Sequence, residues 1–168
     1  MAQVDRNSAQ IAKVVAQPRT PLNPADGPSV LREVTGVITP AADDSANSIG
    51  RILRVPSNAR VSQVLFSTGD ATTAGAINLG LYRTEEDGGA VVDADLFVAA
   101  LALTGGPFNN QDVTHQSGEY THAESDNMLW EVLGLTSDPS VEYDVAYTIS
   151  TTFNGASTTM ALKVRYVE

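Results

Sequence analysis

The sequence predicts an all-β fold, an antiparallel β-sandwich or jelly roll with one or two short helices and an extended N-terminal arm. Short segments rich in apolar and β-branched residues follow one another from Val30 onward, separated by turn residues roughly every ten positions. Apolar residues form 42% of the 168 positions, which is enough for one hydrophobic core. We therefore expect an arm over residues 1–29 and a single sandwich domain over residues 30–168.

Strands are predicted first in the N-terminal half of the domain. Segments there end at a proline or at a cluster of turn residues: Val30–Thr39, Ile49–Val55, Val61–Ser67 and Ile77–Tyr82. In the last of these, Ile77, Leu79 and Leu81 occupy alternate positions, which is the period of two expected of a strand. A turn is predicted to follow at Glu85–Gly89.

Two further strands with clearly alternating faces are predicted at Tyr143–Ser150 and Met160–Tyr166. Asn154 and Gly155 lie between them, and this dipeptide readily adopts the positive φ angles of a tight turn. We predict that the two strands pair with each other as a β-hairpin. Their tyrosines alternate with apolar residues, so these rings are expected in the core and not at a sugar-binding site.

Two segments depart from the strand pattern. Asp93–Ala100 is predicted as a helical turn that is capped by its first residue and runs into a strand at Leu101–Thr104. Asn127–Gly134 is predicted as a short helix that stops at its final glycine. Within it, Trp130 stands in a run of large apolar residues and is expected to be a core anchor. Both segments are expected to be plugs over the open end of the sandwich.

The arm differs from the domain in composition. Ala9–Ala16 is predicted as a short helix with a small apolar stripe, which is marginal in water unless a surface packs against it. The next segment, Gln17–Pro28, has four prolines in the eleven positions from Pro18 to Pro28, which excludes helix and central strand and favours an extended, polyproline-like chain. Two interpretations follow: a strap that lies along a partner, or a tail without a fixed place.

The distribution of charge excludes one class of partner. The formal net charge is −10, and residues 85–168 contain fourteen acidic and two basic side chains. A domain this acidic is repelled by phosphate backbones, so nucleic acid is not an expected partner. The acidic side chains are interpreted as a solvated surface or as a complement to a basic protein surface.

Sequence signals of membrane attachment and disulfide chemistry are missing. No apolar run reaches the roughly 18 residues that span a bilayer, and the first residues lack the layout of a secretion signal. No membrane partner is expected, and the protein is expected to be soluble and made in a cytoplasm. Cysteine is absent, which excludes disulfides, thiolate catalysis and cysteine-based zinc sites.

Residues that carry catalysis or bind metals are sparse. His115 and His122 are separated by six residues, so a helix does not bring both to one face, although loops can. The His-x-His pair of cupin-type jelly-roll enzymes is missing, and the sequence offers His122 with Glu124 instead. There is also no Gly-x-Ser-x-Gly elbow and no phosphate-binding glycine loop. We therefore predict no catalytic residue, no metal site and no cofactor, and we expect that the protein is not an enzyme; a metal-dependent jelly-roll enzyme is the alternative.

Two acidic clusters keep a cation-binding alternative open. Asp93 with Asp95, and the run Glu85–Gly88, offer the hard oxygen ligands that calcium prefers. The first lacks the further ligands and the glycine that an EF-hand loop requires. Turn and capping roles explain these acids more simply.

Several segments resemble those of tailed-bacteriophage virion proteins and, more narrowly, of head decoration (capsid cement) proteins. They are Gly50–Val61, Ile77–Tyr82, Asp93–Phe97, Leu129–Leu135 and Ala161–Val167. The resemblance covers residues 49–168 and leaves out the arm. It implies a jelly-roll-like domain on the outer face of a capsid shell, where it bridges neighbouring major capsid subunits. It implies no catalytic residues.

The resemblance also gives the arm an expected role in docking. A flexible strap loses entropy when a surface orders it, so it needs anchors. The candidates are apolar and basic side chains of the arm: Arg6, Ile11, Lys13, Val14, Val15, Arg19 and Leu22. The expected partners are the major capsid protein and further copies of the chain, as a dimer or trimer. The alternative is a carbohydrate-binding head or fibre domain of a virion, because sandwich loops suit that role equally well.

Overall fold

The structure of the protein, a computed structural model, describes residues 11–12, 15–18, 30–41, 44–69, 74–116, 119–154 and 158–168. The strands within these residues are β1 (Leu31–Ile38), β2 (Ile49–Pro56), β3 (Arg60–Thr68), β4 (Ala74–Arg83), β5 (Val91–Ala102), β6 (Phe108–Asp112), β7 (Glu142–Asn154) and β8 (Met160–Val167). Helix α1 spans Leu129–Val132 between β6 and β7, and 3-10 turns lie at Glu85–Asp87, Leu103–Gly105 and His122–Glu124. No helix in this part of the chain combines the length and the apolar character needed to cross a membrane.

The strands form a sandwich of two antiparallel sheets. Among the described residues, the first sheet has the order β1-β8-β3-β6 and the second has the order β2-β7-β4-β5. Each early strand pairs with a late one: β1 with β8, β2 with β7, β3 with β6 and β4 with β5. The chain is thus a long two-stranded ribbon folded over on itself, with successive pairs alternating between the sheets. This is the eight-stranded jelly roll, and the predicted all-β sandwich is confirmed.

The hairpin predicted from the last two strands is wrong. β7 lies in the second sheet between β2 and β4, and β8 lies in the first sheet between β1 and β3. Both strands direct alternate side chains into the same core from opposite sides, so their alternation is confirmed while their pairing is not. Asn-Gly permits a tight turn without requiring one, and a chain that crosses between sheets must also reverse direction. Gly155 itself lies outside the described residues.

The helical turn predicted at Asp93–Ala100 is also wrong. This segment belongs to β5, and the side chains of Leu96–Val98 are all buried. The register of β5 against β4 shifts three times, which lets consecutive and not alternate side chains turn inward. Periodicity does not distinguish such a bulged strand from a helix. The strand predicted at Leu101–Thr104 ends at Ala102, where the 3-10 turn Leu103–Gly105 follows.

The short helix predicted at Asn127–Gly134 is confirmed as α1. The Met128 N–H donates to the Glu131 carboxylate at 2.8 Å, and the final glycine adopts a φ of +69°. The core anchor differs from the expected one, because Leu129 is fully buried whereas Trp130 is partly exposed. The Trp130 indole N–H donates to the Met128 sulfur at 3.4 Å, so the ring lies along the helix start and not in the core.

The core lies between the sheets and consists of inward-facing aliphatic and aromatic side chains. The tyrosines predicted to be core residues, Tyr143, Tyr147 and Tyr166, are buried there. Close packing at one corner depends on Gly36 in β1, because a Cβ at this position would lie 2.1 Å from the Ile52 carbonyl oxygen of β2. The two sheets therefore approach each other closely where β1 meets β2.

Candidate interaction surface

The structure describes part of the predicted docking surface on the arm. Ile11 and Val15 lie in a short helical segment, in which the Ala16 N–H donates to the Ala12 carbonyl oxygen at 3.1 Å. Their side chains are 49% and 58% exposed, so the arm presents apolar surface to solvent. The remaining predicted docking residues lie outside the described residues: Arg6, Lys13, Val14, Arg19 and Leu22.

The outward face of β1 is a second apolar surface, close in sequence to the arm. Leu31, Glu33, Thr35 and Val37 point away from the core and together are called the β1 strip. Leu31 and Val37 are 59% and 65% exposed, and Val30 just before the strip is exposed too. Sequence reasoning identified the strand but missed this face, because an exposed valine has the same strand signature as a buried one. The sequence signal that could have revealed this exposed face is that its alternate positions mix polar and apolar residues, whereas a core-facing side is uniformly apolar.

Polar side chains at the centre of the first sheet hold one another in place. Glu33, Arg165 and Gln63 are in register across β1, β8 and β3. The Arg165 guanidinium donates to the Glu33 carboxylate at 2.7 Å and to the Gln63 side-chain oxygen at 2.9 Å. The hydrogen bond from Arg165 holds the pKa of the Glu33 carboxyl below its ordinary value. The outer face of this sheet thus has a paired polar centre, with the exposed apolar ends of the β1 strip along its edge.

The centre of the outward face of the second sheet is covered by the protein's own side chains. Asp144 on β7 is buried; it accepts a hydrogen bond from Arg54 Nε at 2.8 Å, and its other oxygen lies 3.3 Å from Arg51 Nε. The second contact is an ion pair without hydrogen-bond alignment. Arg51 also donates to the Gly89 carbonyl oxygen at 2.9 Å, and its guanidinium carbon lies 5.9 Å from the centre of the Tyr82 ring. The arginines therefore cover Tyr82 and Asp144, which face outward and are nevertheless buried.

An open cleft of about 350 Å³ lies between these arginines and the turn after β4. The turn carries the acidic run that the sequence offered as cation ligands, but each acid faces an arginine. The pairs are Glu85 with Arg51 at 3.5 Å, Glu86 with Arg54 at 3.1 Å and Asp87 with Arg83 at 2.9 Å. The acidic run therefore forms ion pairs across the cleft, which agrees with the simpler structural role in the turn. In the other acidic candidate, the Asp93 carboxylate accepts the Asp95 N–H at 3.1 Å, which is a local turn role.

The histidines converge on the long connection between β6 and β7. The ring centres of His115 and His122 are 4.3 Å apart. The His115 Nδ1–H donates to the Tyr120 carbonyl oxygen at 2.8 Å, since a carbonyl can only accept. Tyr120 is fully buried, its hydroxyl donates to the Val61 carbonyl oxygen at 2.7 Å, and burial raises its pKa to about 12. Across the part of the chain that is described, no three His, Asp or Glu side chains form a metal-binding group. The contacts of His115 therefore fasten this connection over the core.

The apolar side chains that are most exposed share one property within the described residues: all are aliphatic. They are Ile11, Val15, Val30, Leu31, Val37, Ile49, Val91 and Leu135. A sugar-binding site stacks its ligand on an exposed aromatic ring, whereas aliphatic patches are typical of contacts with proteins. Three of these exposed aliphatic residues, Val30, Leu31 and Val37, lie in or beside β1.

Comparisons with known proteins identify the fold and no family. No protein-family model matches the sequence, and no curated protein matches it significantly. Among solved structures, the chain is similar to a chain of the cyanophage Pam1 capsid asymmetric unit, with a TM-score of 0.54 and 13% sequence identity. The match covers 91% of this chain and 96% of that chain, so the two are of similar length. At this identity the likeness establishes a shared fold.

Proposed function

We propose that this protein is a non-enzymatic structural protein of a virion, which binds the outside of the assembled capsid shell and stabilises it by bridging major capsid subunits. The observation that carries the proposal is the likeness, over nearly the full length of both chains, to a chain from a phage capsid unit. The sequence resemblance to head decoration proteins supports the outer location. The exposed aliphatic patches of the arm and of β1 supply surfaces that suit a protein partner.

The mechanism of stabilisation follows from selective binding. A chain that binds the assembled shell, and not the free subunits, lowers the free energy of the shell by mass action. In this proposal the arm is residues 1–29 and the domain is residues 30–168. Two linked contacts hold far more tightly than either alone, because the second forms at a high effective concentration. An arm on one subunit and a domain on its neighbour thus act as a clamp.

The charges of the domain support an arm-based contact. The domain arginines that form ion pairs with its own carboxylates are Arg32, Arg51, Arg54, Arg83 and Arg165. Arg60 and Lys163 are the other basic residues of the domain, and because its acidic residues far outnumber all of these, the domain offers little attraction for an acidic partner surface. The arm adds Arg6, Lys13 and Arg19, which supply positive charge for an acidic patch on a capsid subunit. The apolar anchors beside them are Ile11, Val14, Val15 and Leu22.

Deletion of residues 1–28 tests the role of the arm. We expect the remaining domain to stay folded, because the core lies within residues 30–168. We expect it to bind assembled shells at least about tenfold more weakly, since one of two linked contacts is lost. Co-sedimentation with shells of the major capsid protein measures binding, and thermal melting followed by circular dichroism checks the fold. Undiminished binding by a folded domain would contradict the role of the arm.

Replacement of Ile11 and Val15 by aspartate is the finer test. Both side chains are exposed, so the two charges should weaken docking without lowering the melting temperature of the domain. The matched control is Val91→Asp on β5, where the valine is 56% exposed. If the control loses as much docking as the arm variant, or if docking and melting temperature fall together, the two residues are not docking anchors.

A further inference from the structure

The edge strands of the two sheets differ in how well they resist pairing with another strand. Within the described residues, these edges are β1 and β6 in the first sheet and β2 and β5 in the second. The register against the neighbouring strand shifts three times in β5 and once each in β2 and β6. β1 keeps an unbroken register with β8 over its eight residues. Since bulges hinder the addition of a strand, β1 is the least protected edge.

Backbone angles and side chains sharpen this contrast. Ala100 in β5 and Asn110 in β6 have φ angles of +52° and +49°, which interrupt the extended geometry that an added strand would have to follow. β1 has no such angle, and its outward face presents the exposed side chains of Leu31 and Val37. A regular edge with exposed aliphatic residues is a template for pairing with a second strand.

We propose that β1 pairs antiparallel with β1 of a second copy, which joins the two first sheets across a two-fold axis. The pairing is centred on Val34, so that each Leu31 lies opposite Val37 of the second copy. Each Glu33 then lies opposite Thr35 of the second copy. Both ends of the β1 strip gain an apolar cross-strand pair, and no like charges meet.

Other registers that keep the faces of the strips together fit less well; the nearest are centred on Glu33 or on Thr35. Centring on Glu33 sets the two Glu33 carboxylates against each other, which is unfavourable. Centring on Thr35 sets each Glu33 against Val37 and leaves Leu31 beyond the end of the strip. The residues of the strip therefore favour the register centred on Val34.

A second copy fits this edge better than the proline-rich segment Gln17–Pro28 of the arm. A strand added to an edge must donate backbone N–H groups at alternate positions, and proline has none. The segment contains four prolines, whereas the sequence of β1 contains none. Paired with itself, β1 can make about six to eight backbone hydrogen bonds.

Light scattering during size-exclusion chromatography tests the dimer in solution, without any shell, so its outcome is separate from that of the proposed function. We expect the full chain to be a dimer at about 50 µM, in the range of a small interface. Val37→Lys should raise the dissociation constant at least about tenfold, because it removes both apolar end pairs. Val91→Lys, a matched valine on β5, should leave the constant unchanged. A monomeric or trimeric chain, or equal effects of both variants, would overturn the proposal.

The absence of cysteine from the chain allows a direct test of the register. Oxidation of an equimolar mixture of Glu33→Cys and Thr35→Cys chains should give a disulfide-linked dimer, because opposed Cα atoms lie about 4.5–5.5 Å apart. Either variant alone places its two thiols on Cα atoms about 8 Å apart, too far for a disulfide. Each variant alone should therefore form no more disulfide-linked dimer than a Val91→Cys chain does, since that chain reports the amount of linking caused by random collision. Linking by Glu33→Cys alone, or no linking in the mixture, would overturn the pairing.

Discussion

The outward faces of the two sheets share one architecture and differ in what covers them. On the second sheet, Tyr82 and Asp144 face outward and are buried beneath two arginine side chains. On the first sheet, Leu31 and Val37 face outward and are exposed. Within the described residues, the protein's own side chains therefore close the centre of the second face, although Ile49 and Val91 stay exposed on its edge strands, and they leave the β1 edge of the first face open. This difference, together with the unbroken register of β1, makes the first sheet the side on which we expect a partner to bind.

On the closed face, we expect the largest loss of stability from a substitution at Asp144. Asp144→Ala removes the acceptor of Arg54 and the counterion of Arg51, so we expect the free energy of unfolding to fall by about 3 kcal/mol. This value lies at the lower end for buried ion pairs, because both arginines keep some contact with water. Urea unfolding followed by circular dichroism measures the change.

The matched control for Asp144 is a carboxylate that pairs with an arginine on the open face. Glu33→Ala breaks the exposed pair with Arg165 and should shift the urea midpoint much less, since exposed ion pairs contribute little. Equal losses in the two variants would mean that the second sheet is not closed by this network.

A substitution on the inward side of β1 should lower the stability strongly, although the outward side of this strand is exposed. Gly36→Ala places a methyl group 2.1 Å from the Ile52 carbonyl oxygen, so the strands must separate and we expect a loss of about 2 kcal/mol. Thr35→Ala, the neighbouring position on the open face, should change stability by less than about 0.5 kcal/mol. The same urea titration compares them. Unchanged stability of Gly36→Ala would show that the corner between β1 and β2 is looser than described.

The smallest expected effect is the lowered pKa of Glu33, which a titration measures. Arg165 lowers the pKa of Glu33, so the contribution of this pair to stability is present above the ordinary glutamate value of 4.5 and is lost as the pH falls through the lowered pKa. Side-chain carbon NMR should give a midpoint below 4.5, and Arg165→Gln should return it towards that value. A midpoint that does not move in Arg165→Gln would rule out the hydrogen bond as the cause.

The sequence predicted which side chains face the core better than which strands are neighbours. Alternation correctly placed Tyr143, Tyr147 and Tyr166 inside, because burial of every second residue is a local property of a strand. It could not assign β7 and β8 to different sheets, since both choices bury the same residues. β5 was mistaken for a helical turn, because its bulges bury the consecutive residues Leu96–Val98.

The candidate surface was predictable only in part. Composition indicated the arm, and the two predicted docking residues within the described part of the chain, Ile11 and Val15, are exposed. The closed face depends on long-range contacts such as that between Arg54 and Asp144, which are 90 residues apart and leave no local pattern. The β1 strip was missed because its exposure depends on β1 being an edge strand, a property of the sheet order and not of the strand.

The decisive measurement is electron microscopy of assembled shells mixed with the full chain. We expect added density of the size of one jelly-roll domain on the outer surface, lying across the boundary between neighbouring major capsid subunits. Shells that carry this density should also disassemble at a higher temperature, because the bound chain stabilises the assembled state. Shells without added density, or with density on the inner surface, would contradict the proposal of an external clamp.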